Sequence, residues 1–235
     1  MIRWVVSACA VMLLAVSACA GGSTPPGSDQ QAPLFNDLGE HQHSITTASR
    51  DAQRYFNQGL TLGFAFNHAE AQRSFRHAAT LDPQCAMCWW GVAFVLGPNV
   101  NATMDPAAVA SAWDAVQQAQ ALAGKVTPHE QAYIAAIAQR YAKEPPADRA
   151  ALDTAFANAM RDVARQYPDD PDASALFAEA LMDLTPWNYY DQDGKPLRPE
   201  TTEIVTTLES VLGRDPEHAW AIHLYIHATE ASDNP

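Results

Sequence analysis

Residues 52–83, AQRYFNQGLTLGFAFNHAEAQRSFRHAATLDP, decide the fold class of this chain. Apolar and small residues recur in this stretch at the three- and four-residue spacing of an amphipathic helix, and the alternation typical of a strand is absent. The same spacing, with many alanines, continues from about Ser49 through most of the remaining chain. The sequence therefore predicts an all-α fold.

A helix-turn-helix repeat of about 34 residues can be tested on this stretch, with Ala52 taken as position 1. The diagnostic positions 4, 8, 11, 20, 24, 27 and 32 hold Tyr55, Gly59, Leu62, Ala71, Phe75, Ala78 and Pro83. Small residues let two antiparallel helices approach, large ones fill the space between hairpins, and proline ends the second helix. These types resemble the tetratricopeptide repeat (TPR), and they predict a TPR-like α-α solenoid over residues 34–235.

Turn and capping residues divide the rest of the chain into further helices. A second repeat unit begins at Ala86 and breaks at the loop GPNVNATMDP (97–106). Thr127 and Pro128 have the types preferred at the N-cap and the first position of a helix. The aromatic loop TPWNYYDQDGKPLRP (185–199) separates two later helices. The predicted helices lie near residues 106–123, from 128 onward, and near 147–167, 172–184, 199–213 and 216–231.

The last predicted helix carries histidines on the face that would line the concave groove of such a solenoid. The stretch RDPEHAWAIHLYIHATE (214–230) aligns with LDPQCAMCWWGVAFVLG (81–97), because both place Asp-Pro-x-x-Ala at the start of a helix. Repeat positions that face the groove in TPR solenoids are occupied here by Phe56, Leu60, Trp90, Phe94, His223, His227 and Glu230. The leading hypothesis is that a protein or peptide segment binds along them.

A second hypothesis is a metal site built from histidines. His223 and His227 share one helical face, and Glu230 one turn later can add an oxygen ligand or orient a ring. In the motif GEHQHS, the alternate spacing of His41 and His43 points both rings the same way from an extended segment. If this segment enters the groove, four imidazoles converge, a set that suits copper, zinc or iron. The alternative is that the histidines only form hydrogen bonds with a peptide or with neighbouring helices.

Two cysteines, Cys85 and Cys88, belong to the predicted folded region, in DPQCAMCWWG. An isolated Cys-x-x-Cys pair in an exported protein can be a disulfide, a redox pair or half of a metal site. It is not a haem attachment site, because Trp89 follows the second cysteine in place of histidine. Without a thioredoxin-like β-α-β pattern around the pair, we expect a structural disulfide or packed thiols, and a thiol-redox role is the third hypothesis.

The N-terminus, MIRWVVSACAVMLLAVSACAGGS, has the three-part pattern of a secretory signal: one arginine, an apolar run and small residues. The motif VSAC resembles a bacterial lipobox, which predicts a signal peptide over residues 1–18 and lipidation of Cys19. Such an anchor holds a domain at a membrane surface without a transmembrane helix. Ala20 in place of aspartate favours the outer membrane, facing the periplasm, by resemblance to lipoprotein sorting rules. Residues 19–33, rich in Gly, Ser and Pro, are expected to form a flexible tether.

The composition argues against one class of partner and gives no positive sign of catalysis. The formal net charge is −13 at pH 7 with neutral histidines, and no Lys/Arg cluster occurs, so nucleic-acid binding has no electrostatic support. Glycine-rich phosphate loops, nucleophile elbows and HExxH motifs are absent from the sequence. The sequence therefore favours a binding protein over an enzyme.

Three stretches together carry a more specific resemblance: LGEHQHSITT (38–47), the repeat region 52–101 and HLYIHATEAS (223–232). They resemble a group of exported bacterial TPR proteins, and the resemblance covers most of the chain from Leu38. It implies a TPR solenoid in the cell envelope. Members of that group are longer, with further helices beyond the last motif, whereas this chain ends at ASDNP. Because a solenoid that ends on a groove helix lacks its second helix and polar cap, we expect the chain to be a fragment or a truncated product.

Overall fold

The computed structural model describes residues 32–235 and shows that this part of the chain is all-α. The predicted signal peptide, Cys19 and nearly all of the predicted tether lie outside the described residues. The described helices are α1 (Arg50–Phe64), α2 (His68–Leu81), α3 (Ala86–Leu96), α4 (Val109–Leu122), α5 (Pro128–Ala138), α6 (Ala150–Gln166), α7 (Pro171–Met182), α8 (Pro199–Arg214) and α9 (Ala219–Thr229). Since β-structure within residues 32–235 is confined to isolated bridges, the predicted fold class is confirmed. None of the described helices has the length and apolarity that a bilayer crossing requires.

Capping side chains fix the starts of two helices by satisfying their free backbone N–H groups. Thr127 accepts a hydrogen bond from the backbone of Glu130, and Glu130 accepts one from the backbone of Thr127, a capping box that confirms the predicted start of α5. Asp170 caps α7 through the backbone N–H groups of its first turn, and Pro171 is the first residue of that helix. Glu130 and Asp170 thereby become fixed carboxylates at helix N-termini.

Each helix packs on the next one along the chain, and several odd-numbered helices also contact one another. These further contacts join α1 to α3, α3 to α5, α7 to α9 and, at the end, α1 to α9. The last helix therefore returns to the first. The odd-numbered helices form an inner layer whose side chains meet across the middle of the molecule.

Two glycines make room for the ring of Phe75 between the first three helices. A Cβ atom at Gly59 of α1 would lie 2.8 Å from this ring, and one at Gly91 of α3 would lie 2.4 Å from it. Both distances are far shorter than van der Waals contact, so only glycine fits at either position. Phe75 itself is fully buried, which explains why α2 packs tightly against both neighbours.

The inner layer is packed where the sequence predicts an open groove. The predicted groove residues of α1 and α3, Phe56, Leu60, Trp90 and Phe94, are each at most 5 % exposed. Two contacts account for this. The last helix closes on α1 and α3, where Trp220 stacks on Phe64 at 4.1 Å and packs on Phe94. The ring of His43 lies 6.2 Å from that of Phe56, and Tyr133 of α5 packs edge-on against Trp90. Side chains that would line a groove in an open superhelix instead fill the core.

Cys85 and Cys88 are joined by a disulfide at the start of α3. Both residues are fully buried, packed with Ala52 and Tyr55 of α1. A buried disulfide offers no exposed sulfur to a partner thiol or a metal ion. The arrangement is that of a structural cross-link, one of the two forms expected for this pair.

Candidate metal centre

An extended segment, residues 32–49, lies against the inner helices and is fixed there by side chains. Gln58 of α1 donates a hydrogen bond to Pro33 O at 2.8 Å, and Gln53 accepts one from Ile45 N at 3.0 Å. A segment without strand partners leaves its backbone groups unpaired, so these glutamines supply the bonds that a neighbouring strand would give. The segment that carries the predicted ligands of GEHQHS therefore docks onto the helices of its own chain.

The carboxylate of Glu130 ties the same segment to α5. It accepts hydrogen bonds from the backbone N–H of Thr46 at 2.6 Å and from the hydroxyl of Thr46 at 2.5 Å. It also accepts from the backbone and hydroxyl of Thr127, at 3.0 and 2.8 Å. Burial alone would raise the pKa of Glu130, but these hydrogen bonds outweigh burial and lower the pKa. An ionised carboxylate thus holds the segment in place.

Three imidazoles surround the carboxylate of Asp172, the second residue of α7. Its Oδ1 lies 3.0 Å from His218 Nε2 and 3.2 Å from His41 Nε2. Its Oδ2 lies 2.7 Å from His43 Nδ1. Asp172 is only 3 % exposed, and burial alone would raise its pKa. The three neighbouring imidazoles, His218 first, outweigh burial and hold the pKa well below its usual range, so the carboxylate is ionised.

Asp170 adds a second carboxylate next to Asp172. Its Oδ1 accepts the capping hydrogen bonds of α7, and its Oδ2 accepts from the hydroxyl of Tyr133 at 2.5 Å. His129 Nε2 lies 2.8 Å from the same Oδ2. One oxygen of each aspartate and one nitrogen of His43 all lie within 4.8 Å of one another. The centre therefore combines the two carboxylates at the start of α7 with imidazoles that come from three other parts of the chain.

The hydrogen bonds of His218 fix which of its ring nitrogens carries the proton. Its Nδ1 accepts from the backbone N–H of Ala221 at 3.1 Å and must therefore hold a lone pair. In the neutral ring the proton then sits on Nε2, which donates to Asp172. His218, which is buried as the N-cap of α9, thus orients the carboxylate and is not placed to be a metal ligand itself.

Two other imidazole nitrogens in the centre stand beside a carboxylate without a hydrogen bond to it. Nε2 of His41 is buried and makes no hydrogen bond within residues 32–235, although Asp172 Oδ1 is 3.2 Å away. Nε2 of His129 behaves in the same way beside Asp170 Oδ2, at 2.8 Å. A buried nitrogen without a partner is costly, whereas a nitrogen and an oxygen side by side are arranged as two ligands of one ion.

The charges around the centre also favour a bound cation. Glu130, Asp170 and Asp172 all act electrostatically on His43. Burial alone would lower the pKa of His43, but its hydrogen bond to Asp172 and these three carboxylates outweigh burial and raise the pKa. The negative charge around His43 stabilises a positive charge at the site, which a proton or a divalent metal ion can supply.

The predicted metal ligands are distributed between two places. His41 and His43 are at the Asp172 centre, whereas His223 and His227 form a pair on α9 whose Nε2 atoms are 3.0 Å apart. Glu230 contacts His227 Nδ1 at 3.1 Å, the orienting role that the sequence allowed for it. Within residues 32–235, the groups of three ligand atoms that come within 4.8 Å of one another contain neither member of the pair.

Sequence reasoning missed Asp170, Asp172, His129 and His218. The signal for the aspartates was present in DDPDA (169–173), where one aspartate caps a helix and another follows its first proline. His218 stands in the same Asp-Pro-x-x-Ala junction that aligned the two repeat units, at the place of Cys85. What brings these residues together is the packing of α5, α7 and α9 around the N-terminal segment, which no local pattern encodes.

Neither a protein-family model, nor a curated protein, nor a solved structure matches this chain.

Proposed function

We propose that this chain is a metal-binding protein that holds a divalent first-row metal ion, zinc or iron(II), at the Asp172 centre. The ligands are His43, Asp170 and Asp172, whose ligand atoms lie within 4.8 Å of one another, and His41 lies against the other oxygen of Asp172. His218 orients Asp172. Imidazole nitrogens and carboxylate oxygens are ligands that both metals accept. The metal takes the place of the proton on His43, as metal binding to imidazoles generally does.

The observation that carries the proposal is that one nitrogen of His43 and one oxygen each of Asp170 and Asp172 lie within 4.8 Å of one another. Two carboxylates held this close in a buried site repel each other unless a proton or a cation lies between them. His41 Nε2, buried 3.2 Å from Asp172 Oδ1, brings a second imidazole to the same carboxylate. The surplus of negative charge around His43 acts in the same direction.

The scaffold that we propose is a TPR-like solenoid whose inner face is occupied by its own N-terminal segment. The repeat spacing from Ala52 supports this assignment, as do the glycine contacts of Phe75 and the mutual contacts of the odd-numbered helices. An external peptide would have to displace residues 38–47 to reach the inner face. Metal binding is therefore a better-supported role for this face than peptide binding. Lipid anchoring through Cys19 remains part of the proposal, on the lipobox motif alone.

The proposal is tested by calorimetric titration of the full chain, stripped with chelator, with Zn(II) and separately with anaerobic Fe(II). The His223→Ala/His227→Ala background removes the other imidazole pair. In this background we expect one equivalent of metal to bind. Asp172→Asn, which keeps the shape of the side chain but not its charge, is expected to weaken binding at least about 100-fold.

Matched controls separate the site from a general loss of charge or of histidine. Asp169→Asn changes an exposed neighbour in the same loop, and His77→Ala removes a histidine of α2 that packs on Tyr55. Both should bind metal like the parent. Absence of Zn(II) and Fe(II) binding by the folded parent contradicts the proposal, and so does undiminished binding by Asp172→Asn.

A further inference from the structure

His223 and His227 form an imidazole pair on α9 that shares no ligand with the Asp172 centre. Their Nε2 atoms lie 3.0 Å apart. The other nitrogen of each ring has its own partner: His223 Nδ1 lies 3.3 Å from Phe64 O, and His227 Nδ1 lies 3.1 Å from a carboxylate oxygen of Glu230. Carbonyl and carboxylate oxygens only accept hydrogen bonds, so each Nδ1 carries a proton and donates it.

These partners leave a lone pair on each Nε2 of the neutral rings. Two lone pairs that face each other at 3.0 Å repel unless a cation lies between them. Either a proton or a metal ion can relieve the repulsion. A metal ion also accounts for the two Nδ1 contacts, because metal-bound imidazoles characteristically donate their other N–H to a carbonyl or carboxylate. On this pair the carbonyl is Phe64 O and the carboxylate is that of Glu230.

Strained backbone holds two aromatic rings against the pair. Phe66 and Trp187 are the two non-glycine residues with positive φ within residues 32–235, at 57° and 63°. Phe66 packs edge-on against His223 and Trp187 edge-on against His227, each with ring centroids 5.0 Å apart. Such backbone conformations cost free energy and persist where the surroundings impose them, often at functional sites. Here they fix the orientation of both imidazoles.

The pair is accessible from solvent, whereas the carboxylate of Asp172 is buried. The side chain of His227 is 24 % exposed and that of Glu230 is 49 % exposed. Trp187 is half exposed and lines a cleft of about 700 Å³, which Asn99 and Arg149 also line. An ion bound by two imidazoles here would keep coordination positions open on the side of solvent and of this cleft. Open positions on a metal are what permit an exogenous ligand to bind.

We propose that His223 and His227 bind one copper(II) ion through their Nε2 atoms. Two imidazoles without a carboxylate ligand favour copper, which binds nitrogen sites more tightly than the other divalent first-row metals. Phe64 O and Glu230 orient the rings, and water or a small anionic or nitrogenous ligand completes the coordination. This site goes beyond the proposed function, because it uses different residues and shares no ligand with the Asp172 centre.

The test is a Cu(II) titration of the full chain in the Asp172→Asn background, followed by calorimetry and electron paramagnetic resonance. We expect one equivalent of copper with hyperfine splitting from two imidazole nitrogens. His223→Ala/His227→Ala in that background should lose it, with affinity reduced at least about 100-fold. Because the background already lacks the Asp172 carboxylate, failure here is separate from failure of the zinc or iron centre.

Glu230 supplies a variant that leaves both ligands intact. Its side chain is exposed, so Glu230→Ala should not disturb folding, and we expect it to weaken copper binding about 10–100-fold by releasing the His227 ring. Glu230→Gln, whose amide oxygen still accepts from Nδ1, should recover most of the affinity. His77→Ala should have no effect. Unchanged copper binding in both Glu230→Ala and the double-histidine variant would overturn the proposal. So would the absence of copper binding in an Asp172→Asn chain whose circular dichroism shows that it is folded.

Discussion

The Asp172 centre and the His223–His227 pair both use histidine imidazoles, but the first gathers them from remote parts of the chain and the second takes both from one helix. At the Asp172 centre the partners His43 and Asp172 are 129 residues apart in the sequence, whereas the two histidines of the pair are four residues apart on one helix. The first site is buried and has an ionised carboxylate at its middle. The pair is partly exposed, and its carboxylate only orients a ring.

This difference determines whether a bound metal ion also stabilises the fold. A buried centre that is assembled from remote parts of the chain links those parts, so its metal also stabilises the fold. A pair on one helix exists as soon as the helix forms, so its metal adds little to stability and can exchange ligands with solvent. We therefore expect changes at the Asp172 centre to affect both folding and binding, and changes at the pair to affect binding alone.

The largest effect is expected for Asp172→Ala. The substitution leaves His41, His43 and His218 around a space without their common acceptor. Loss of one partner from a buried charged network costs about 3 kcal/mol or more. The free energy of unfolding in urea, measured in the presence of chelator, should fall by that amount. His223→Ala/His227→Ala serves as the comparison and should change it by less than about 1 kcal/mol. Equal losses in the two variants would remove the distinction between the sites.

A smaller effect is expected for Thr46→Val, which removes one of the two hydrogen bonds from Thr46 to Glu130 and keeps the shape of the side chain. Loosening the buried carboxylate of Glu130 should destabilise the docked segment by about 1–2 kcal/mol. Hydrogen exchange of residues 38–47 should become faster, and zinc or iron should bind more weakly at the Asp172 centre. Copper binding to the α9 pair should not change. A parallel loss of copper affinity would show that the segment supports both sites.

Glu179 provides a buried carboxyl group without imidazole partners, for comparison with Asp172. Burial and the neighbouring Asp183 raise the pKa of Glu179 well above its usual value, and the opposing charge of Arg140 does not offset them. The folded state keeps a proton on Glu179 that the unfolded state releases. The contribution of Glu179 to the free energy of unfolding is therefore greatest at low pH, and it is lost as the pH rises above about 4.5 towards the folded pKa. Glu179→Gln, a permanent mimic of the neutral form, should flatten this dependence.

The change expected at pH 7 for Glu179→Gln is a gain of at most about 1 kcal/mol. It is measured by urea unfolding between pH 4.5 and 8, with Glu144→Gln, at an exposed position of the loop between α5 and α6, as the control. Asp172→Asn should act with the opposite sign at pH 7, because an ionised partner of three imidazoles is lost. A fall in stability for Glu179→Gln across the whole range would mean that its carboxylate is ionised in the fold.

The smallest effect is expected for Trp187→Gly. Glycine adopts the positive φ of this position without strain, so relief of backbone strain offsets part of the lost ring contacts, and stability should change by less than about 1 kcal/mol. Copper binding should weaken by a few-fold, because the His227 ring loses its edge-on support. Trp187→Phe should retain most of the affinity. A copper affinity unaffected by Trp187→Gly would exclude a role of this ring in orienting the pair.

The features that a local pattern encodes could be predicted from the sequence. Helix periodicity predicted the all-α class and a common helical face for His223 and His227. The capping residue Thr127 predicted the start of α5. Two features depend on long-range packing and could not be predicted. One is the closure of α9 on the first helices, which buries the predicted groove residue Phe94 against Trp220. The other is the docking of residues 32–49, which brings His41 and His43 to Asp172.

Anomalous X-ray diffraction can show whether a metal ion occupies the Asp172 centre. Crystals of the full chain grown with zinc would be measured on both sides of the zinc absorption edge. We expect an anomalous peak about 2.0–2.2 Å from ligand atoms of His43, Asp170 and Asp172. Ordered side chains at this centre with no peak among them, while zinc scatters elsewhere or nowhere, would contradict metal binding there.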